Sequence, residues 1–154
     1  VASDLDIEGT VTNVRTTCDE QADRIYTNAT FDVYASRADT RGARTVELPY
    51  FAVVLRGGSS VVTKRVGTVS VTFADGQDRA VGQGQAGAFI NRADATLPED
   101  VRDRITRKRT AGDADAALDP LADPQVRAAV QAASFELLVG FQLSDEQLAY
   151  NATR

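Results

Sequence analysis

The chain has 154 residues, enough for one domain with a real core and short for two. Its 17 Lys plus Arg against 22 Asp plus Glu leave a net charge of −5, which disfavours nucleic acid as a partner because phosphate contacts need a basic face. With no His, Met or Trp and a single Cys, it lacks the usual general base, the His-dependent nucleophile systems, an intrachain disulfide and multi-Cys metal sites.

No apolar run reaches the roughly 18 residues that span a bilayer. The opening Val1-Ala2-Ser3 reads as a mature or trimmed form, with any targeting segment already removed. Residues 5–16 begin with apolar side chains on odd positions, the period of a half-buried strand, until Val14 breaks the alternation and marks a bulge or strand end. A polar turn is expected over 17–23. Ile25, Thr27, Ala29, Phe31, Val33 and Ala35 then alternate with polar neighbours in the clearest strand of the chain. After a polar connection over 36–44, Val46 to Leu55 is the next strand. Pro49 lies inside it and removes a ladder donor, so an edge, a strand start or a bulge is expected there.

Gly57-Gly58-Ser59 signals a hairpin turn, and Val61 to Phe73 returns. After the Asp75-Gly76 turn, the Gly- and Gln-rich stretch 79–90 reads as a flexible or bulged strand. Thr96 to Arg107 is helical in pattern, with Thr96 and Glu99 spaced as a capping box. Residues 113–123 are an acidic, Ala-rich loop. Asp119-Pro120 and Asp123-Pro124 each fit an N-cap followed by Pro at the first helical position. Phe135 to Phe141 alternates as a well-buried final strand, and Ser144 to Gln147 is a second capping box opening a short helix. Six to eight strands with late, non-alternating helices favour an antiparallel β-sandwich over a parallel α/β sheet.

Leu48-Pro49-Tyr50-Phe51-Ala52-Val53 and the C-terminal FELLVGFQLSDEQLAYN from Phe135 to Asn151, with the Thr17-Cys18-Asp19 turn, resemble a family of small envelope lipoproteins of alphaproteobacteria. The resemblance runs from about Leu5 to Asn151, and the C-terminal segment is its specific part. It implies an immunoglobulin-like sandwich behind a lipidated N-terminal Cys, hence a periplasmic, membrane-anchored module, and it carries over no catalytic residue. Two departures stand out. Cys18 lies inside the domain, so the lipid-bearing Cys is absent from this chain. The stretch 98–132 is also longer than the family's usual connection and reads as an insertion.

Gly82-Gln83-Gly84-Gln85-Ala86-Gly87 is formally GxGxxG, the pattern a nucleotide-binding enzyme would use. A dinucleotide site needs that pattern between a buried parallel strand and a helix, and the alternating strand before it does not supply this context. Close backbone packing in a strand is the simpler reading. Cys18 has no His to activate it and reads as a small buried residue at a strand end. Asp113, Asp115 and Asp119 lack the Gly and terminal Glu of a calcium loop and read as an acidic linker. Arg102, Arg104, Arg107, Lys108 and Arg109 form a basic cluster suited to anionic lipid, a glycan or an acidic partner, although flanking carboxylates offset its field. Tyr150, past the last strand, is a candidate exposed contact.

The expectation is a single domain over 1–154: an antiparallel immunoglobulin-like β-sandwich with a helical insertion at about 96–133 and a short C-terminal helix. Its expected role is non-catalytic, an envelope module binding another protein, with no cofactor and no metal. Binding to a lipid or glycan surface through residues 102–109 is the alternative. The candidate interaction surface is Arg102, Arg104, Arg107, Lys108, Arg109 and Tyr150.

Overall fold

A computed structural model describes residues 6–153. The first sheet has the order β1-β2-β5, with β1 at Ile7–Glu20, β2 at Arg24–Arg37 and β5 at Arg79–Asn91. The second has the order β4-β3-β6, with β3 at Arg44–Arg56, β4 at Ser60–Phe73 and β6 at Phe135–Phe141. Every pairing is antiparallel. Three helices follow the fifth strand: α1 at Glu99–Thr106, α2 at Pro124–Ala132 and α3 at Asp145–Ala152. The sandwich-like arrangement agrees with the sequence pattern.

The period-two signal of β2 decides which side is core. Ala29, Phe31, Val33 and Ala35 are buried, and Val69, Val71 and Phe73 of β4 meet them from the other sheet. Burying Phe31 and Phe73 contributes about 2–3 kcal/mol each by area removed from water. Ile7, Val11, Val46, Leu48, Tyr50, Val139 and Phe141 pack against this cluster while remaining partly open. A further set of buried residues includes Ala52 and Val54 on β3, Ala86 and Ala88 on β5, Val101 on α1 and Val126 on α2.

The glycines of β5 explain how two sheets close on one side. A Cβ on Gly82 would sit 2.7 Å from the Ser70 carbonyl oxygen and from Val69 Cγ1. On Gly84 it would overlap the Phe31 ring directly across the β2–β5 ladder. Far from being bulged, β5 pairs with β2 in unbroken register from Arg79 to Asn91. Its small residues let β5 lie close to both Phe31 and β4.

Several expectations shift. The first strand runs on to Glu20, so the turn is confined to 21–23. Its bulge falls between Thr12 and Arg15, where Asn13 takes a left-handed φ of 52°. Thr96 does not cap α1. Its hydroxyl donates to the Arg92 carbonyl, and Pro98 occupies the N-cap without a side-chain bond. The final strand is half-buried rather than well buried, because β6 is the edge of its sheet. Cys18 is exposed, since β1 beyond the bulge has no buried residue.

Other local signals hold. Gly57 and Gly58 both adopt positive φ at the β3–β4 hairpin. Asp119 caps a 3₁₀ turn at Pro120–Ala122, and Asp123 caps α2. The Ser144–Gln147 box is closed reciprocally at the start of α3. The helical stretch expected at about 96–133 carries the chain from the first sheet (β5) to the second (β6).

Candidate functional site

The two sheets do not close symmetrically. On one side β5 lies against β4, as the Gly82 contact shows. On the other, the free edge of β1 and the β6 edge of the second sheet stand apart at one end. The β3–β6 ladder runs only from Arg56–Phe135 to Tyr50–Phe141. Beyond it β3 continues through Pro49 to Arg44, with β4 alongside and no strand on its β6 side among the described residues. The expectation of an edge, a strand start or a bulge at Pro49 is corrected: Pro49 lies mid-strand in the central β3, in regular register with Thr68. It sits opposite Gln142, just past the end of β6, whose N–H donates to the Pro49 carbonyl at 2.9 Å, so the missing Pro49 N–H removes a bond only where the β3–β6 ladder is ending.

A groove of about 740 Å³ fills that gap. Its walls are residues 6–10 of β1, 46–49 of β3, 141–143 after the end of β6, and the face of α3 carrying Glu146, Gln147, Tyr150 and Asn151. Ile7, Val46, Leu48 and Phe141 form an apolar floor that rests on the core cluster. A Cβ on Gly9 would lie 2.9 Å from the Phe141 ring, so Gly9 keeps the β1 wall close to β6.

The rim is acidic. Asp6, Glu8, Glu47 and Glu146 line the groove, and among the described residues no Lys or Arg does. Arg44 lies just outside, 2.7 Å from Asp6. Glu47 accepts a hydrogen bond from the Ser70 hydroxyl on the outer face of the second sheet. Within the wall, Gln142 Oε1 is buried and has no hydrogen-bond donor among the described residues. A buried acceptor left unmet costs free energy unless something supplies a donor.

The sequence-derived candidates fall in two places. Tyr150 is half-buried and lines the groove. The basic cluster does not line it. Its guanidinium groups fold back on the acidic loop that follows: Arg104 pairs with Asp123, while Arg107 and Arg109 lie 3.8 and 3.7 Å from Asp115. Arg102 lies 3.8 Å from Glu99, and Arg109 also donates to the Leu118 carbonyl at 3.0 Å. Lys108 enters none of the ion pairs seen among the described residues. Most of the cluster therefore fastens α1 to the connection before α2.

The acidic loop is occupied in the same way. Asp113 accepts from the Thr110 amide and hydroxyl, which hold its pKa below the usual carboxylate range. Asp119 accepts from Leu121 N. Among the described residues no group of three or more His, Cys, Asp or Glu side chains is arranged to hold a metal. Gly82, Gly84 and Gly87 lie mid-strand against β4, Phe31 and Tyr26, and no helix N-terminus follows them directly. No described helix is long and apolar enough to cross a membrane.

Sequence reasoning missed the groove because four separate segments build it. One buried cation was missed as well. Arg37 donates to the carbonyls of Gln77, Thr40 and Ala74 at 2.8 to 2.9 Å, at the far end of β2. Comparison with protein-family models, curated proteins and solved structures finds no match.

Proposed function

We propose that this chain is a non-catalytic interaction module of the bacterial cell envelope, an immunoglobulin-like domain on a lipid tether that binds another protein through the β1–β3–β6 groove. The strand order supports the immunoglobulin-like part of this reading. Neighbours β1-β2-β5 and β4-β3-β6 correspond to A-B-E and C′-C-F of that pattern. The strand that would follow F has no counterpart among the described residues, and α3 comes after β6 instead. The envelope location and the tether rest on the resemblance carried by Leu48–Val53 and Phe135–Asn151.

The observation that carries the binding reading is where those two segments lie. Leu48 and Pro49 from one, and Phe141, Tyr150 and Asn151 from the other, line the same groove. An apolar floor with a polar rim beside an open sheet edge is a surface suited to recognition. The test is site-specific photo-crosslinking in the cells that make the protein. A benzophenone side chain at Asn151, in the groove, should give a discrete protein adduct. The same probe at Tyr34, on the outer face of the first sheet, should not. Absence of an adduct at Asn151, or equal adducts at both positions, would overturn the reading.

A further inference from the structure

We propose that the groove takes an extended peptide segment with alternating apolar and basic side chains, which pairs as a short strand with the vacant β6-side edge of β3 at Thr45–Leu48. The inference rests on the binding role argued above and names the chemistry of the occupant.

Backbone geometry supplies the first argument. Pro49 turns its carbonyl toward the β6 side, as its bond from Gln142 N shows. Alternate residues of a strand turn their amide groups to the same side, so Glu47 in the groove and Thr45 just beyond it present N–H and C=O to that side. An open edge of this kind is a template for an added strand. Four residues of edge span about 13 Å, enough for a short pairing segment.

Side-chain alternation supplies the second. Val46 and Leu48 point to the core side of the second sheet, and Glu47 to the outer side with Ser70. On the facing wall Ile7 shares the inward side with Val11, and Glu8 has the opposite parity. A strand laid between them would turn every second side chain onto Ile7, Val46, Leu48 and Phe141, and the others outward beside Glu47 and Glu8. Valine-like residues suit the floor, and lysine or arginine suits the rim.

Charge supplies the third. Among the described residues four carboxylates line the groove and no Lys or Arg does; Arg44 just outside meets Asp6 alone, so the lining stays net acidic, an acidic segment is repelled and a basic one attracted.

The experiment is titration of the whole chain with a capped hexapeptide alternating lysine and valine, followed by calorimetry and by backbone amide NMR shifts at low salt. Binding should shift the amides of Thr45 and Glu47. Replacing every lysine by glutamate should abolish binding. N-methylating the edge-facing amides of the peptide, which removes strand donors and leaves its charge, should weaken it at least tenfold. Glu47→Lys and, separately, Glu146→Lys should each weaken it at least fivefold. Both sites are exposed, and circular dichroism checks that each variant folds. Equal affinity of the N-methylated peptide would reduce the effect to charge attraction and overturn the strand pairing. Indifference to both charge reversals, or no binding at all, would overturn the proposal. If a groove adduct forms at Asn151 while the basic peptide fails, only the occupant's chemistry falls. If neither appears, the binding role falls with it.

Discussion

The guanidinium carbon of Arg37 lies 5.1 Å from the centre of the Phe73 ring, and both residues are buried. Phe73 ends β4 and Arg37 ends β2, so this contact joins the last residues of strands from opposite sheets. The same guanidinium closes two loops by donating to Gln77 and Ala74 on one side and Thr40 on the other. Carbonyl dipoles and the ring face thus offset the cost of burying the charge.

Arg37→Met keeps the apolar stem and removes every donor. Three carbonyls then lose their partner, and charged hydrogen bonds of this type contribute about 1.5–3 kcal/mol. The expected loss is about 2–4 kcal/mol in urea denaturation, with the slope of the transition unchanged. Arg37→Lys should fall between the two, because one ammonium cannot span three acceptors held by a planar fork. A Met variant as stable as the parent would show that these loops close without the clasp.

Gly84 tests why β5 is rich in glycine. A methyl group there must displace the Phe31 ring, which is only 2% exposed and has no room to give. Gly84→Ala should cost about 2–3 kcal/mol through overpacking. Phe31→Leu in the same chain should recover part of that loss by vacating the space. Recovery would appear as non-additivity in a double-mutant cycle. Additive losses would mean that the glycine serves something other than the ring.

The described fold was unevenly legible in the sequence. Strand β2 announced itself because one face is core along most of its length. Strand β5 was obscured because the large apolar residues that would have marked it are excluded by Phe31 and by β4. Beyond its bulge β1 lost its alternation because neither face meets the core there, which also left Cys18 exposed. Capping residues were readable where side chain and backbone lie within three positions, as at Asp119, Asp123 and Ser144. Thr96 misled because its hydroxyl found the Arg92 carbonyl behind it. The basic cluster was visible as charge, and its pairing with Asp115 and Asp123 emerges only when the loop folds back. No local pattern could show a groove whose walls come from both termini and from β3.

Asn13 makes a conformational prediction. Its left-handed φ lets the bulge turn, and its side-chain amide donates to Asp32 at 2.8 Å. Asn13→Gly should be nearly neutral, trading that bond for backbone freedom. Asn13→Val should cost about 1–2 kcal/mol, because a β-branched residue is strained in that region. Thermal denaturation of the pair checks the sign and order of the two effects.

The pH dependence near α2 follows from Asp123. Its pKa is held below the usual carboxylate range, chiefly by the backbone N–H of Gln125, with Arg104 adding to the effect. A group whose folded pKa is depressed contributes stability above its unfolded value, near pH 4, and loses it as pH falls through the folded value. Asp123→Asn retains a capping oxygen and does not titrate. The parent should therefore lose stability more steeply than the variant as pH falls below about 4, and the two denaturation midpoints should converge. A constant gap between the two profiles down to pH 2 would exclude Asp123 as a contributor.

The last prediction concerns α3, the helical wall of the groove. It has eight residues, none buried, so packing alone holds it weakly. The Ser144 hydroxyl accepts from Gln147 N at 3.3 Å, and the Gln147 side chain accepts from Ser144 N at 2.9 Å. Ser144→Ala removes one half of this exchange and should destabilise the helix by about 1 kcal/mol. Because α3 follows the last strand, the loss should appear as local opening, with the global transition almost unmoved. Amide hydrogen exchange at Leu148 and Ala149 should accelerate about fivefold, while Phe31 and Val33 in β2 keep their protection. A lowered global midpoint with unchanged exchange in α3 would mean that the helix opens only when the sandwich does.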